Sequence, residues 1–385
     1  MKTSKLSICA ITLVLAACGG GGRGTGTYQL GEIAIPSLSG FDLGTVDSAA
    51  GKYYLTAAGS KAIDVIDISH SDAVVGPLAA GSFAGDHTVG FDHSHNGPNG
   101  VVLVPGSPTL IYAGDVNSVK VVNPATNAVV RSISVGGSSG LRVDEGCFDP
   151  DDGIVMFTSP EQSPPFITFI STASQTVIAT YVYGAGASIG LEQCVYDHAS
   201  HSFLINNDGN TTNHPDGEVN VFTAASVVAH APVISNSFAT AGCGPTGLAL
   251  GPNNDLLVGC IGVPGSPQIS LILDRNTGAV LATVPFGGED AVAYDPTSNK
   301  YFLAALFHQT SGIAINPGDP TAPASSSSLG VIDAGSRKLI ASLPTGNGAH
   351  SVSVDPVTQQ VFVPHAGGAP GSAFAVPGVT VFSAN

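Results

Sequence analysis

A unit of about fifty residues recurs along this chain, and its last copy is one strand short, so residues from the other end must complete it. The clearest copy spans residues 289–346. Four short runs serve as its strands a to d: Ala291-Val292-Ala293-Tyr294, Tyr301-Phe302-Leu303-Ala304-Ala305, Leu329-Gly330-Val331-Ile332-Asp333 and Leu339-Ile340-Ala341-Ser342-Leu343. Apolar runs of this length, bounded by Gly, Pro, Asn and Asp, read as strands. The a-to-b turn Asp295-Pro296-Thr297-Ser298-Asn299-Lys300 has counterparts beginning at Asp149, Asp197, Gly251 and Asp355, with looser copies around Asp47 and at Val104-Pro105-Gly106-Ser107-Pro108. A c-to-d turn such as Asp274-Arg275-Asn276-Thr277-Gly278 completes the pattern.

The last unit offers strands near 351–354, 361–363 and 379–382, and then the chain stops. Tyr28-Gln29-Leu30-Gly31-Glu32-Ile33-Ala34-Ile35 has the pattern of a d strand and precedes the first unit. Pairing it with 379–382 closes the ring, whereas an open ring exposes two sheet edges. The expected fold is therefore all-β: a seven-bladed β-propeller of four-stranded antiparallel blades over residues 28–385, its last blade closed by the N-terminal strand. Sparse charge, with 49 glycines and 26 prolines, fits such a repeat better than two α/β domains.

The pairs Lys52-Tyr53-Tyr54-Leu55-Thr56 with Ala62-Ile63-Asp64-Val65-Ile66-Asp67, and Leu110-Ile111-Tyr112-Ala113 with Val119-Lys120-Val121-Val122, resemble the YVTN-type β-propeller repeat. The resemblance covers essentially the whole chain after residue 27. It implies the fold, but propellers of this kind bind, scaffold and catalyse, so function must come from a site.

The N-terminus reads as an address. Lys2 and Lys5 precede an apolar run at 6–15, too short to span a bilayer, and small residues follow. Leu15-Ala16-Ala17-Cys18 resembles the bacterial lipobox, which implies a signal peptide over 1–17, lipidation of Cys18 and a Gly-rich tether over 18–27. Gly19, rather than Asp, follows the cysteine; by resemblance to enterobacterial lipoproteins this implies the outer membrane, on its periplasmic side or at the cell surface. Membrane contact is expected through the anchor only, with the propeller a monomer.

A net charge of −16 repels nucleic acid and suits cationic ligands or divalent metals. Four cysteines follow Cys18 in a chain expected in an oxidising compartment. Cys243 and Cys260 bracket one predicted hairpin and should face each other across it as a disulfide. Cys147 and Cys194 occupy similar places in adjacent repeats, which suggests a second bridge. No CxxC spacing favours thiolate metal binding.

Alternating strand direction sends a-to-b and c-to-d turns to one face and all other connections to the opposite face. The first is expected to be plain. The second carries the long segments 159–166, 206–218, 260–268, 307–328 and 364–378, and an enlarged crossing at 84–100. Long loops in a compact fold carry function or are merely tolerated, and clustering on one face marks where a site belongs. His87, His93, His95, His214, His308, His350 and His365 fall on that side.

Strand a lines a propeller's channel, so residues just before it converge at the mouth. Counting back from each turn gives Asp42, Asn99, Asp144, Glu192, Thr246, Asp290 and His350, thickened by Arg142, Glu145, Gln193 and Glu289. An oxygen-rich ring suits calcium or magnesium; carboxylate plus imidazole suits zinc or manganese. The same polarity also serves strand capping and channel water. Asp42, Asn99, Asp144, Glu192, Asp290 and His350 are the candidate metal ligands, and His350 or Glu145 the candidate base. His93, His95, Arg142 and His308 are candidate ligand contacts.

No phosphate loop, dinucleotide fingerprint or nucleophile elbow occurs, so no nucleotide cofactor is expected. The lack of tryptophan disfavours aromatic sugar platforms. Two readings stay open: binding of a protein or small-molecule ligand at the channel face, and a divalent-metal-dependent hydrolase or lyase. Gluconolactonase-type propellers hold acidic and amide ligands on inner strands, and Glu192, Asn99 and Asp290 are similarly placed.

Overall fold

The computed structural model describes residues 28–69, 72–86, 93–138, 140–316, 319, 321–368 and 371–384. The signal-like segment, Cys18 and the Gly-rich stretch lie outside them, as do His70 and His87. The described residues form seven four-stranded antiparallel sheets. Blade 1 holds Phe41–Asp47, Lys52–Ala57, Ala62–Asp67 and a stub, Ala73–Val74; blade 2 holds Val101–Val104, Leu110–Asp115, Ser118–Asn123 and Ala128–Ser134. Blade 3 follows with Gly146–Asp149, Ile154–Ser159, Phe166–Ser171 and Thr176–Val182, and blade 4 with Leu191–Asp197, Ser202–Asn207, Glu218–Thr223 and Ile234–Ala239. Blade 5 is Pro245–Leu250, Asp255–Cys260, Ser270–Asp274 and Val280–Val284; blade 6 is Val292–Asp295, Lys300–Ala305, Ser328–Asp333 and Lys338–Pro344. Blade 7 takes Ser353–Asp355, Gln360–His365 and Gly378–Ala384 from the end of the chain and Tyr28–Ala34 from its start.

The recurring aspartates have a local cause. Asp149 Oδ1 accepts from the amides of Asp151 and Asp152, and the carboxylate of Asp295 from those of Thr297 and Ser298. Asp274 and Asp333 do the same for the c-to-d turns. Each carboxylate thereby satisfies amides that a tight turn leaves unpaired. Among the described residues the plain face departs from expectation where a short helix, Ala224–Val228, capped by Thr223, joins the outer strands of blade 4.

Blades pack face to face, so the middle strands are buried on both sides. Tyr53, Leu55 and Phe362 share one cluster between blades 7 and 1, and Phe169, Phe203 and Phe222 another between blades 3 and 4. Each such aromatic or leucine contributes about 1.5–3 kcal/mol on burial. Two-sided burial explains why strands b and c read as continuous apolar runs rather than alternating ones.

Closure follows the predicted pairing, from Tyr28 opposite Ala384 to Ala34 opposite Gly378. A polar pin adds to the ladder. His365, fully buried, donates Nε2–H to Glu32 Oε1 at 2.6 Å, while its Nδ1 accepts from Gly367 N. Thr380 Oγ1 donates to the other oxygen of Glu32. His365, placed by sequence on the elaborated side, thus serves the closure.

Both predicted disulfides are present. Cys243–Cys260 spans the first hairpin of blade 5, and Cys147–Cys194 joins the inner strands of blades 3 and 4. Sequence separations of 17 and 47 residues correspond to about 3 and about 4 kcal/mol of chain-entropy stabilisation. Two disulfides indicate an oxidising, extracytoplasmic setting. No helix among the described residues is long and apolar enough to cross a membrane.

Candidate functional site

Each strand a touches strand a of both neighbouring blades, so the inner strands close a ring around the channel. The residue two before this strand is held alike in blades 2, 3 and 6. Asn99 N donates to Gly114 O, Asp144 N to Thr158 O and Asp290 N to Ala304 O, at 2.9–3.1 Å, each fixing its residue to the end of strand b. In blades 1, 4 and 5 the strand instead carries an extra residue at this level, between Phe41 and Gly44, Leu191 and Cys194, and Pro245 and Leu248. Such bulges re-aim side chains, and Asp42 and Glu192 occupy the first two.

The result is a cavity of about 170 Å³ whose polar lining includes Asp42, Asn99, Asp144, Glu145, Glu192, Asp290 and His350. Phe41 and Leu306 supply its apolar lining, and His93, Asn96 and Arg142 complete it. Glu145, Glu192 and Asp290 come closest together, with one oxygen of each within 4.8 Å of the others. Glu145, expected as a base, therefore belongs to the candidate ligand set. It is 4% exposed and its Oε2 has no hydrogen-bond partner; Asn96 Oδ1, at 3% exposure, and Asp42 Oδ2 are likewise buried and unpartnered. Oxygens left in this state cost about 1–3 kcal/mol each unless an ion or proton meets them.

Electrostatics point the same way. Burial, then the charges of Asp144 and Asp290, pushes the carboxyl of Glu145 well above its usual range. Burial and Asp208 do so for Glu192. Asp290 is raised by burial, against the opposing pull of His350. Asp144 is raised well above its usual range by burial although Arg142 lies beside it. Carboxylates this crowded take up a cation or retain protons.

Several expected ligands have other duties. Asp144 Oδ2 lies 2.8 Å from an Arg142 amine, and Arg142 Nε donates to Glu161 at 2.8 Å. This makes Asp144 a counter-ion and leaves Arg142 little charge for a ligand. Asn99 donates Nδ2–H to the carbonyls of Asn96 and Val143, which turns its Oδ1 away from them. Thr246 Oγ1 and Gln193 Oε1 tie neighbouring inner strands together, Gln193 accepting from Leu248 N and Val292 N. His350 donates Nδ1–H to Gly348 O at 2.7 Å and stacks on Phe41 at 4.7 Å between centroids. That bond fixes the tautomer and leaves Nε2, 3.8 Å from Asp42, as the basic nitrogen.

His308 corrects the sequence reading. Its ring stacks on Phe286 at 4.6 Å and it does not line the cavity; the residues after it, 312–314, bond to the 265–268 loop of blade 5. His95 does not line it either. The segment 93–95 is a single 3-10 turn that brings only His93 to the cavity.

Glu161 and Asp208 were not legible as site residues. Asp208 follows strand b of blade 4, and burial with the charge of Asp290 raises its carboxyl to about 7. Its signal is Gly190, where a Cβ would collide with the Asp208 carboxylate.

Fold and site together define a disulfide-braced, seven-bladed propeller with a carboxylate-lined channel mouth. No protein-family model matches the sequence, and no curated protein does. Among solved structures 1219 chains are similar, so this likeness identifies an architecture and not an activity. Hydrazine synthase of Kuenenia stuttgartiensis superposes with a TM-score of 0.54 at 14% identity, over 72% of this chain and 75% of that one. A chain of the mitotic checkpoint complex gives a TM-score of 0.58 at 14% identity, over 96% and 99%.

Proposed function

We propose that the channel mouth binds a divalent cation on Glu145, Glu192 and Asp290 and presents it to a small oxygen-bearing ligand. The observation that carries this reading is the convergence of three carboxylates within 4.8 Å at the channel mouth, with Glu145 Oε2 buried and unpartnered. An all-oxygen trio is the donor set of calcium, magnesium or manganese; recruitment of His350 Nε2 shifts the preference towards manganese or zinc.

His350 favours a second, hydrolytic reading, lactonase-like. A bound cation would polarise a carbonyl oxygen. His350, oriented by Gly348 and braced by Phe41, would take a proton from attacking water at Nε2. Phe41 and Leu306 would exclude bulk water from one side of the ligand.

Metal analysis of protein purified without chelator, with calorimetric titration of the stripped protein, tests the binding reading. One tightly held divalent ion per chain is expected, with proton release on binding because the carboxyl groups must ionise. Absence of both a retained ion and a titration signal overturns it. Lactone and ester turnover with and without EDTA then separates binding alone from hydrolysis.

The chain is further proposed to be a lipoprotein tethered through Cys18. Leu15-Ala16-Ala17-Cys18 and the two disulfides support this. Cys18→Ser is expected to move the protein from the membrane to the soluble fraction, and unchanged membrane association counts against the anchor.

A further inference from the structure

A second cavity, of about 610 Å³, opens at the rim, between the outer strands of blades 3 and 4 and below the connection that follows Asn207. Its volume lies in the usual range for small-ligand sites. The channel-mouth residues take no part in it.

The floor is a saturated carboxylate. Glu218, 3% exposed, accepts on Oε1 from the side-chain amides of Asn207, Asn210 and Asn220 at 3.3, 3.3 and 3.0 Å. Its Oε2 accepts Nδ1–H from His214. Burial works to raise this carboxyl, but the bonds from Asn220, His214 and Asn210 outweigh it and hold the group below its usual range. The charge is therefore fixed and fully spent on the protein. His214, with Nδ1 committed, turns Nε2 outward from a side chain 32% exposed.

One wall is aromatic and rigid. Tyr181, half-buried, stands roughly perpendicular to Tyr183 at 5.1 Å and to Phe222 at 4.9 Å between centroids. Tyr183 is itself locked by donating its hydroxyl to Asn220 Oδ1 at 2.9 Å. Ile234 adds apolar surface, while Thr212, Asn213 and Ser237 supply hydroxyl and amide groups.

These groups select a ligand by what they lack as well as what they offer. Among the described residues no lysine or arginine lines the cavity, so nothing there matches a phosphate or carboxylate. Its one carboxylate is buried and already meets four donors, which disfavours a metal or an ammonium group there. What fits is a neutral molecule with an apolar face for Tyr181 and several hydroxyls for His214 Nε2, Asn213 and Thr212. We infer that this cavity binds a neutral sugar unit, with Tyr181 as the platform and His214 as the principal acceptor. Composition argued against such a platform because tryptophan is absent; tyrosine supplies it.

Saturation-transfer NMR on the mature protein tests this with a panel of glucose, galactose, N-acetylglucosamine and their β-1,4-linked dimers. At least one is expected to receive saturation from the protein. Tyr181→Ala should weaken that binding about tenfold or more, the scale of one lost 1.4 kcal/mol contact. His214→Gln should do likewise while retaining an N–H for Glu218, and so keep the fold if Tyr181→Ala does not. Val357→Ala, on an exposed turn of blade 7, should leave it unchanged. No transfer to any sugar of the panel overturns the inference, as does transfer that survives His214→Gln undiminished.

Discussion

Glu192→Gln is expected to weaken divalent-cation binding by on the order of 100-fold or more, since even outer groups around a metal are worth roughly 10- to 100-fold. The same substitution should raise the melting temperature of the protein in EDTA. Glu192 lies within ligand distance of Glu145 and Asp290 and is crowded by Asp208, so without a cation it either repels them or is forced to hold a proton, and glutamine removes both costs. With a saturating cation the order reverses. The wild type gains binding free energy that grows with the ratio of cation concentration to Kd, about 2.7 kcal/mol at a hundredfold excess, and the variant gains far less. Thermal unfolding of both proteins in EDTA and in excess calcium or manganese therefore gives a crossed pattern. Parallel behaviour, with both proteins indifferent to metal, would show that the ring is structural and holds only water and protons.

The mouth was legible in sequence because it is a repeat property. Counting back from the aligned turns places Asp42, Asn99, Asp144, Glu192, Thr246, Asp290 and His350 at one level, and all but Thr246 line the cavity. Counting supplies level but not rotation. It could not say that Asp144 turns towards Arg142 while Glu145, one residue on, turns inward beside Glu192 and Asp290. Loop residues escaped for a different reason. Glu161, Asp208 and Asn96 sit in connections whose paths follow no period, and His308 was assigned by face when its ring in fact packs on Phe286. The closing strand was read correctly because its missing partner leaves a deficit visible in the sequence itself. The pin between Glu32 and His365 was not, since their 333-residue separation becomes proximity only when the ring shuts.

Glu289 marks the boundary between site and scaffold, and it carries the second large expectation. It precedes Asp290 yet lines no part of the mouth. It is fully buried, with Oε2 accepting from Cys260 N at 3.0 Å and Oε1 lying 2.6 Å from Ser270 Oγ. Ser270 Oγ is also 2.7 Å from Phe286 O. One hydroxyl proton cannot serve both acceptors. The arrangement is satisfied when Glu289 keeps its own proton, donates to Ser270 Oγ, and Ser270 donates to Phe286 O. Burial accordingly raises the carboxyl to about 8, against the hydrogen bonds it receives. No charged group of the mouth contributes to that shift, so it titrates as part of the core.

The sign follows from proton counting. Between the ordinary glutamate value and about 8 the folded state holds a proton that the unfolded chain has released. This contribution is fully present below the unfolded value and is lost as pH rises towards the folded one. A shift of this size corresponds to roughly 4–5 kcal/mol across that window. Glu289→Gln places an amide N–H where the acid proton lies, keeps an acceptor for Cys260 N and has nothing to titrate. Denaturant unfolding in EDTA at a series of pH values between 5 and 9 should therefore show the wild type losing stability more steeply than the variant. The mouth carboxylates titrate in both proteins and cancel in the difference. Curves that stay parallel across the range would mean that Glu289 is ionised in the folded protein, and that Ser270 donates to it at the expense of Phe286.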